Sequence, residues 1–349
     1  MHGDFTFREI LEQPEVWQRV LDGLRDRLEA LDLDGIEELV FVGCGSSYHL
    51  AEAAAKIFGE VTGARARFTP ASEVFLAPHT VFHKGDRIGF IALSRTGETS
   101  EVLKAVELFK RLRQQGDLSG PVYGFTCTPD SGLVAACDRT VLVPSTEQSL
   151  VMTQAFTGTL LALALWASLV SPDEDALGAM SALDGAGQQV LERAALIKEI
   201  ASYAEIRHFV FLGSGILHPI ACEGALKLQE MALVAEVSAY HALEYRHGPK
   251  STIGADTLVV MLVSQTGARY ERELLAELKE LGARTLVLSG SEAETMAPHA
   301  DYQVSVGAYP DALRAMLYAP LLQLLAYHRA ILRGTDPDSP QNLSRSVIL

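Results

Sequence analysis

Four short stretches of this 349-residue chain hold side chains of a type and spacing that can do chemistry. SRTGETS (94–100) sets Ser94, Thr96, Thr99 and Ser100 around Gly97, directly after the apolar run IGFIAL. GCGSSY (43–48) sets Ser46 and Ser47 behind two glycines at the end of the apolar run LVFV. Hydroxyls and unpaired amides at a strand-to-helix turn can cradle an anion, because the first N–H groups of a helix have no partner inside it. They can equally be a plain helix cap, with Glu98 favoured there by the helix dipole. The third stretch, ACEGALKLQE (221–230), spaces Glu223, Lys227 and Glu230 at i, i+4 and i+7, on one helix face. Exposed, these charges would be a solvated ladder; crowded at the crevice end of a buried helix, they are candidates for proton transfer. In the fourth, AYHALEYRHGPKS (239–251), the HGP breaks the helical pattern and puts His247 on a loop. Beside Glu244, Arg246 and Lys250, a loop histidine can serve as acid or base as well as a surface group.

The elements that must position these groups are written twice. VFVGCG (40–45) returns as VFLGSG (210–215), and IALSRTG (91–97) returns as MLVSQTG (261–267). Gly43 and Gly213 are 170 residues apart, and so are Gly97 and Gly267, a shared offset that points to tandem duplication. VYGFT (122–126) and TLVLS (285–289) are a looser pair, as are RTVLVP (139–144) and DYQVSV (301–306). The strands show no polar alternation and are separated by amphipathic segments such as SEVLKAVELFKRLRQQ (100–115) and ERELLAELKEL (271–281). That pattern predicts parallel sheets covered on both faces, an α/β fold. Long apolar helices at 156–170 and about 314–332 close the two halves. A single helix is predicted at about 7–31, and a linker with helix at about 172–205.

Composition excludes several classes. A net charge of −15 with no Lys/Arg-rich stripe argues against nucleic acid as a partner. The acidic N-terminus is no signal peptide, and the apolar run at 156–170 is shorter than the roughly 18–20 residues that cross a bilayer. No membrane association is therefore expected. Cys44, Cys127, Cys137 and Cys222 show no CxxC pairing and no metal-type spacing with histidine, so reduced thiols in the cytoplasm and no metal are expected. A dinucleotide site would want a third glycine where Tyr48 stands, and Glu73 falls too far along to be its ribose acid. No cofactor is expected.

The duplication supplies an internal control on the choice between cradle and cap. In the second copy Ser46 and Ser47 are replaced by Ile216 and Leu217, and Glu98 and Thr99 by Ala268 and Arg269, although Ser264 and Thr266 remain. Capping would be needed equally in both copies. Hydroxyl enrichment in one copy alone favours a single phosphate-sized site in the first half.

Together GCGSSY, SRTGETSEVL, EGALKLQE, LEYRHGPKS and PQNLSRSV resemble the sugar isomerase (SIS) family over nearly the whole chain from about residue 35. More narrowly, they are similar to the isomerase half of the glutamine–fructose-6-phosphate aminotransferases and to stand-alone amino-sugar-phosphate deaminases and tagatose-6-phosphate ketose/aldose isomerase-like proteins. The resemblance implies two tandem flavodoxin-like SIS domains, each a parallel sheet flanked by helices. The expected boundaries are an N-terminal helix at 1–32, SIS domains at 33–171 and 206–334, a linker helix at 172–205, and a tail over the site at 335–349.

By the same resemblance, Ser47, Ser94, Arg95, Thr96 and Thr99 fall on phosphate-binding positions, with Ser46 beside them. Glu230 matches the base that moves a proton between C1 and C2, with Lys227 and Glu223 as its helix partners. His247 matches the ring-opening histidine, which in the family comes from the neighbouring subunit of a homodimer. Two departures stand out. The chain begins Met1-His2 without the family's glutaminase cysteine, so glutamine hydrolysis is not expected. The tail lysine that forms a Schiff base is Arg345 here, and arginine cannot be that nucleophile. Met152 also stands where the aminotransferase-like pattern has a hydroxyl. The expected activity is deamination and isomerisation of a hexosamine 6-phosphate. The alternatives are a ketose/aldose phosphate isomerase acting on a hexose 6-phosphate and, from another class, a non-catalytic sugar-phosphate sensor.

Overall fold

The computed structural model describes residues 3–172 and 174–349. Met1 and His2, on which the glutaminase expectation was placed, lie outside them. The chain divides into two units, each built on its own five-stranded parallel sheet. The first-sheet unit comprises Glu15–Glu147, Gln154–Ser181 and Ser344–Leu349, and the second-sheet unit comprises the residues through Pro14, Gln148–Thr153 and Ala182–Leu343.

The first sheet contains β1 (Glu38–Gly43), β2 (Ala66–Pro70), β3 (Ile88–Leu93), β4 (Val122–Thr126) and β5 (Arg139–Leu142), in the spatial order β2-β1-β3-β4-β5. The second contains β6 (His208–Gly213), β7 (Val237–His241), β8 (Thr257–Leu262), β9 (Arg284–Ser289) and β10 (Tyr302–Ser305), in the order β7-β6-β8-β9-β10. Both are the doubly wound flavodoxin-like order, in which connections leave the first and third strands in opposite directions. The switch points lie between β1 and β3 and between β6 and β8, strands paired in parallel register. All six residues of β3 and of β8 are buried, as continuous apolar runs covered on both faces should be.

Each unit closes with a long apolar helix. Gln154–Val170 is buried from Gln154 to Ser168 and packs against the Ser46–Thr62 helix. Asp311–Arg333 packs against the Leu217–Ala232 helix. Among the described residues, no helix is long and apolar enough to cross a membrane. None of the four cysteines is in a disulfide. Two helical expectations are subdivided in the structure. The N-terminal helix is three shorter ones, Asp4–Leu11, Gln13–Gly23 and Arg25–Glu29, and the linker is three more, Glu174–Ser181, Leu183–Leu191 and Ala194–Ser202.

Candidate functional site

In the first-sheet unit, both hydroxyl-rich turns open from the neighbouring strands β1 and β3 at the switch point, where ligands of open α/β sheets bind. Ser46 and Ser47 begin the Ser46–Thr62 helix and are buried. Gly43 is demanded by that sharp turn, since a Cβ there would lie 2.3 Å from the Ser47 carbonyl oxygen. At the second turn Gly97 has φ of +70°, and a Cβ would lie 2.1 Å from Ser131 Oγ.

The hydroxyls of this turn do not cap the following helix through Thr99. Thr99 is the N-cap of the Ser100–Gln114 helix but makes no side-chain cap bond. Its Oγ1 lies 3.2 Å from Ser94 Oγ instead. Ser94 Oγ accepts the Gly97 N–H at 3.1 Å, and Thr96 Oγ1 accepts the Glu98 N–H at 3.3 Å. Ser94 and Thr96 thus each accept one N–H, and in each hydroxyl pair, Ser94 with Thr99 and Thr96 with Ser346, one O–H is donated to the other oxygen while the second O–H is left to donate elsewhere. Glu98 does not serve the dipole of the helix it precedes; its Oε1 accepts the Gly132 N–H at 2.7 Å.

Arg95, matched by resemblance to a phosphate position, is ion-paired. Its Nη1 donates to Glu147 Oε2 at 2.6 Å, in a pair whose side chains are 10% and 2% exposed. Arg345 joins the same residue, with Nη2 donating to the Glu147 carbonyl oxygen at 2.7 Å. The tail then runs along the turn. Ser346 Oγ lies 2.7 Å from Thr96 Oγ1, and the Val347 carbonyl accepts the Ser100 N–H at 3.1 Å.

In the second-sheet unit the equivalent turn is bonded to the protein's own carboxylates. Ser264 donates its N–H and its hydroxyl to the two oxygens of Glu271, both at 2.9 Å. The Ser214 hydroxyl donates to Glu271 Oε1 at 2.7 Å, and Gln265 N–H donates to the Asp311 carboxylate at 3.0 Å. Burial pushes both the Glu271 and Asp311 carboxyls above their ordinary range. The second turn is filled by the protein's own carboxylates. In the first copy the matching residues are Glu101 and Cys44, and Glu101 Oε2 is buried with no hydrogen-bond partner. The Cys44 thiol is pushed up to about 11 by burial and then by Glu101. A thiol in place of the Ser214 hydroxyl leaves Glu101 without that anchor, and the SRTGETS hydroxyls stay available. Sequence reading missed Glu271, whose only signal is one acid in the first turn of an amphipathic helix.

The charged helix belongs to the second-sheet unit. Glu223, Lys227 and Glu230 lie on Leu217–Ala232, as their spacing predicts. Lys227 Nζ is fully buried, 3.2 Å from Glu223 Oε1 and 2.5 Å from Glu230 Oε2. Burial alone would lower the Lys227 pKa; attraction to Glu223 and Glu230 outweighs it and raises the value. Glu230 is the most open of the three, with 18% of its side chain exposed. The expectation that this cluster sits at the crevice end is corrected. The helix starts at the Gly213 turn and runs back antiparallel to β6, so Glu230, in its last turn, lies at the opposite edge of that sheet.

His247 is exposed between two 3₁₀ turns, Leu243–Arg246 and Pro249–Thr252. One carboxylate ties both turns down: Glu277 accepts Arg246 Nη2 at 2.8 Å and Lys250 Nζ at 3.3 Å. Arg246, chiefly, and Lys250 hold the Glu277 carboxyl below its ordinary range. That anchoring is present above the ordinary carboxylate pKa and is lost as pH falls through the depressed value. Glu277→Gln should cost less than about 1 kcal/mol of global stability, since the pair is solvent-exposed. It should nonetheless speed amide hydrogen exchange across 243–252. Unchanged exchange there would mean that Tyr245, buried beneath the loop, holds it alone.

Comparison with known proteins closes the case for the family. The SIS domain model matches residues 33–169 and again 202–333. The chain belongs to the SIS-domain family. This SIS protein is 31% identical to the glutamine–fructose-6-phosphate aminotransferase (isomerizing) of Pseudomonas putida over 370 residues, covering 98% of this chain and 58% of that enzyme. It therefore spans about six tenths of the length of such curated relatives. The crystal structure of glucosamine-6-phosphate deaminase from Thermotoga maritima is 31% identical, with a TM-score of 0.85 over 99% of this chain and 100% of that one. Tagatose-6-phosphate ketose/aldose isomerase from Escherichia coli shares the fold, with a TM-score of 0.86 at 24% identity over 99% and 96% of the two chains.

Proposed function

We propose that this SIS protein is an enzyme of phosphorylated sugars that deaminates and isomerises a hexosamine 6-phosphate. The observation that carries the reading is the likeness to the Thermotoga maritima deaminase over essentially the full length of both chains. The residues support it. Ser46, Ser47, Ser94, Thr96 and Thr99 are assigned to the phosphate, and Glu230 to proton transfer. His247, on its clamped loop, is assigned to ring opening.

In the open-chain amino aldose, Glu230 takes the C2 proton, and the electron pair forms an enolamine across C1 and C2. Returning the proton to C1 leaves a protonated imine at C2, and water then releases ammonia and a ketose. Lys227, itself paired with Glu223, holds the Glu230 carboxylate in place. Arg345 offers no amine for a Schiff base, so the imine is hydrolysed by water rather than passed to the protein. We further assign the chain to the cytoplasm and to a homodimer in which one protomer's His247 loop serves its partner.

The second reading, isomerisation of a hexose 6-phosphate, needs the same base and anchor without the nitrogen; the fold of tagatose-6-phosphate isomerase favours it. Hexosamine and hexose 6-phosphates assayed side by side separate the two. Ketose formation from hexose 6-phosphates alone would select the second reading, and binding without turnover of either would select a sensor. Ser94→Ala and Thr96→Ala should each raise KM about tenfold or more, since each removes one hydroxyl from a charged ligand. Unchanged KM in both variants would remove the phosphate from this turn.

A further inference from the structure

We propose that Glu147 is a positioning residue of the phosphate turn: it neutralises Arg95 and holds it back, so that hydroxyls rather than a guanidinium bind the anion. The inference rests on the assignment of the phosphate to SRTGETS. Arg95 stands between Ser94 and Thr96 in that turn and is fixed at both ends. Its carbonyl accepts the Cys127 N–H at 2.9 Å and the Thr126 hydroxyl at 3.0 Å. Its Nη1 donates to Glu147 Oε2 at 2.6 Å.

Glu147 is fixed as firmly. Its other oxygen, Oε1, accepts the Ala155 N–H at 3.3 Å, in the first turn of the Gln154–Val170 helix. Arg345 is bonded to the Glu147 main chain, and a change of side chain leaves that bond in place. Little water reaches the pair: the neighbouring Cys127 thiol is pushed up to about 12, chiefly by burial. Two opposite charges in contact act on a third ion through their difference, so a phosphate beside Arg95 and Glu147 meets a dipole in place of a net charge.

The second copy supplies the comparison. Its matching residue is the neutral Gln265, so an equivalent turn forms without an arginine. An arginine within the turn whose charge is cancelled by a buried acid trims affinity rather than supplying it. Neutral donors hold a phosphate less tightly than an unopposed guanidinium would, and they let a phosphorylated product leave.

The test is the Kd for inorganic phosphate, read from the phosphate dependence of thermal unfolding of the full chain. Glu147→Gln keeps the size of the side chain and an oxygen for the Arg95 donor, but uncovers the guanidinium charge. It should lower Kd about tenfold, the worth of one unopposed charge within a side chain's length of the ligand. Arg95→Gln uncovers the Glu147 carboxylate and should raise Kd about tenfold. The double variant buries no unpaired charge, so it should fold best and bind within about threefold of the wild type. A double variant as weak as Arg95→Gln would put Arg95 itself on the phosphate and overturn the inference, as would a Glu147→Gln affinity at or below that of the wild type. A wild-type response with the variants in the wrong order removes this inference alone. If phosphate stabilises none of these proteins, the assignment of phosphate to the turn falls and the inference with it.

Discussion

Glu230→Gln is expected to lower kcat on the aminated substrate by about a thousandfold while moving KM no more than about threefold. The substitution keeps the length and volume of the side chain, and its amide oxygen can still accept from Lys227 Nζ, now 2.5 Å from the carboxylate. Fold and phosphate anchor should therefore survive. What is lost is a carboxylate able to take a proton from one carbon and return it to the next, and an amide cannot do this. A variant retaining more than about a tenth of wild-type turnover would assign the proton transfer to another group.

Lys227→Met should destabilise the protein by about 3–5 kcal/mol at neutral pH, measured by urea unfolding. Methionine fills nearly the same space, so the loss is not a cavity effect. It leaves Glu223, only 3% exposed, with a buried charge and no counter-ion. The pH dependence carries a sign. Because folding raises the Lys227 pKa, its contribution is complete below the ordinary lysine value and disappears as pH rises through the raised one. In Lys227→Met the deficit should instead shrink on acidification, as the stranded carboxylates take up protons. Adding Glu223→Gln should restore much of the lost stability, because it removes the stranded charge. A pH-independent loss would mean that the cluster stabilises through packing rather than charge.

The sheets were legible because their strands are continuous apolar runs, and the shared 170-residue offset of two glycine turns showed two copies. Those runs coincide with β1, β3, β6 and β8, and helical spacing placed Glu223, Lys227 and Glu230 on one face. Partnership was not legible. No sequence rule says that Glu98 binds Gly132, that Arg95 faces Glu147, or that Glu271 fills the second turn, since each bond joins segments that only the fold brings together. The edge on which Glu230 lies was misjudged for a simpler reason. A helix following a parallel strand runs back along it, so its last turn lies far from the turn that starts it.

The most direct measurement of the central claim follows ammonia and ketose together from glucosamine 6-phosphate with the full chain. The account predicts that the two appear in equal amounts and at one rate in the wild type, and that both vanish in Glu230→Gln. Ketose from an unaminated hexose phosphate with no ammonia from any hexosamine 6-phosphate would contradict it.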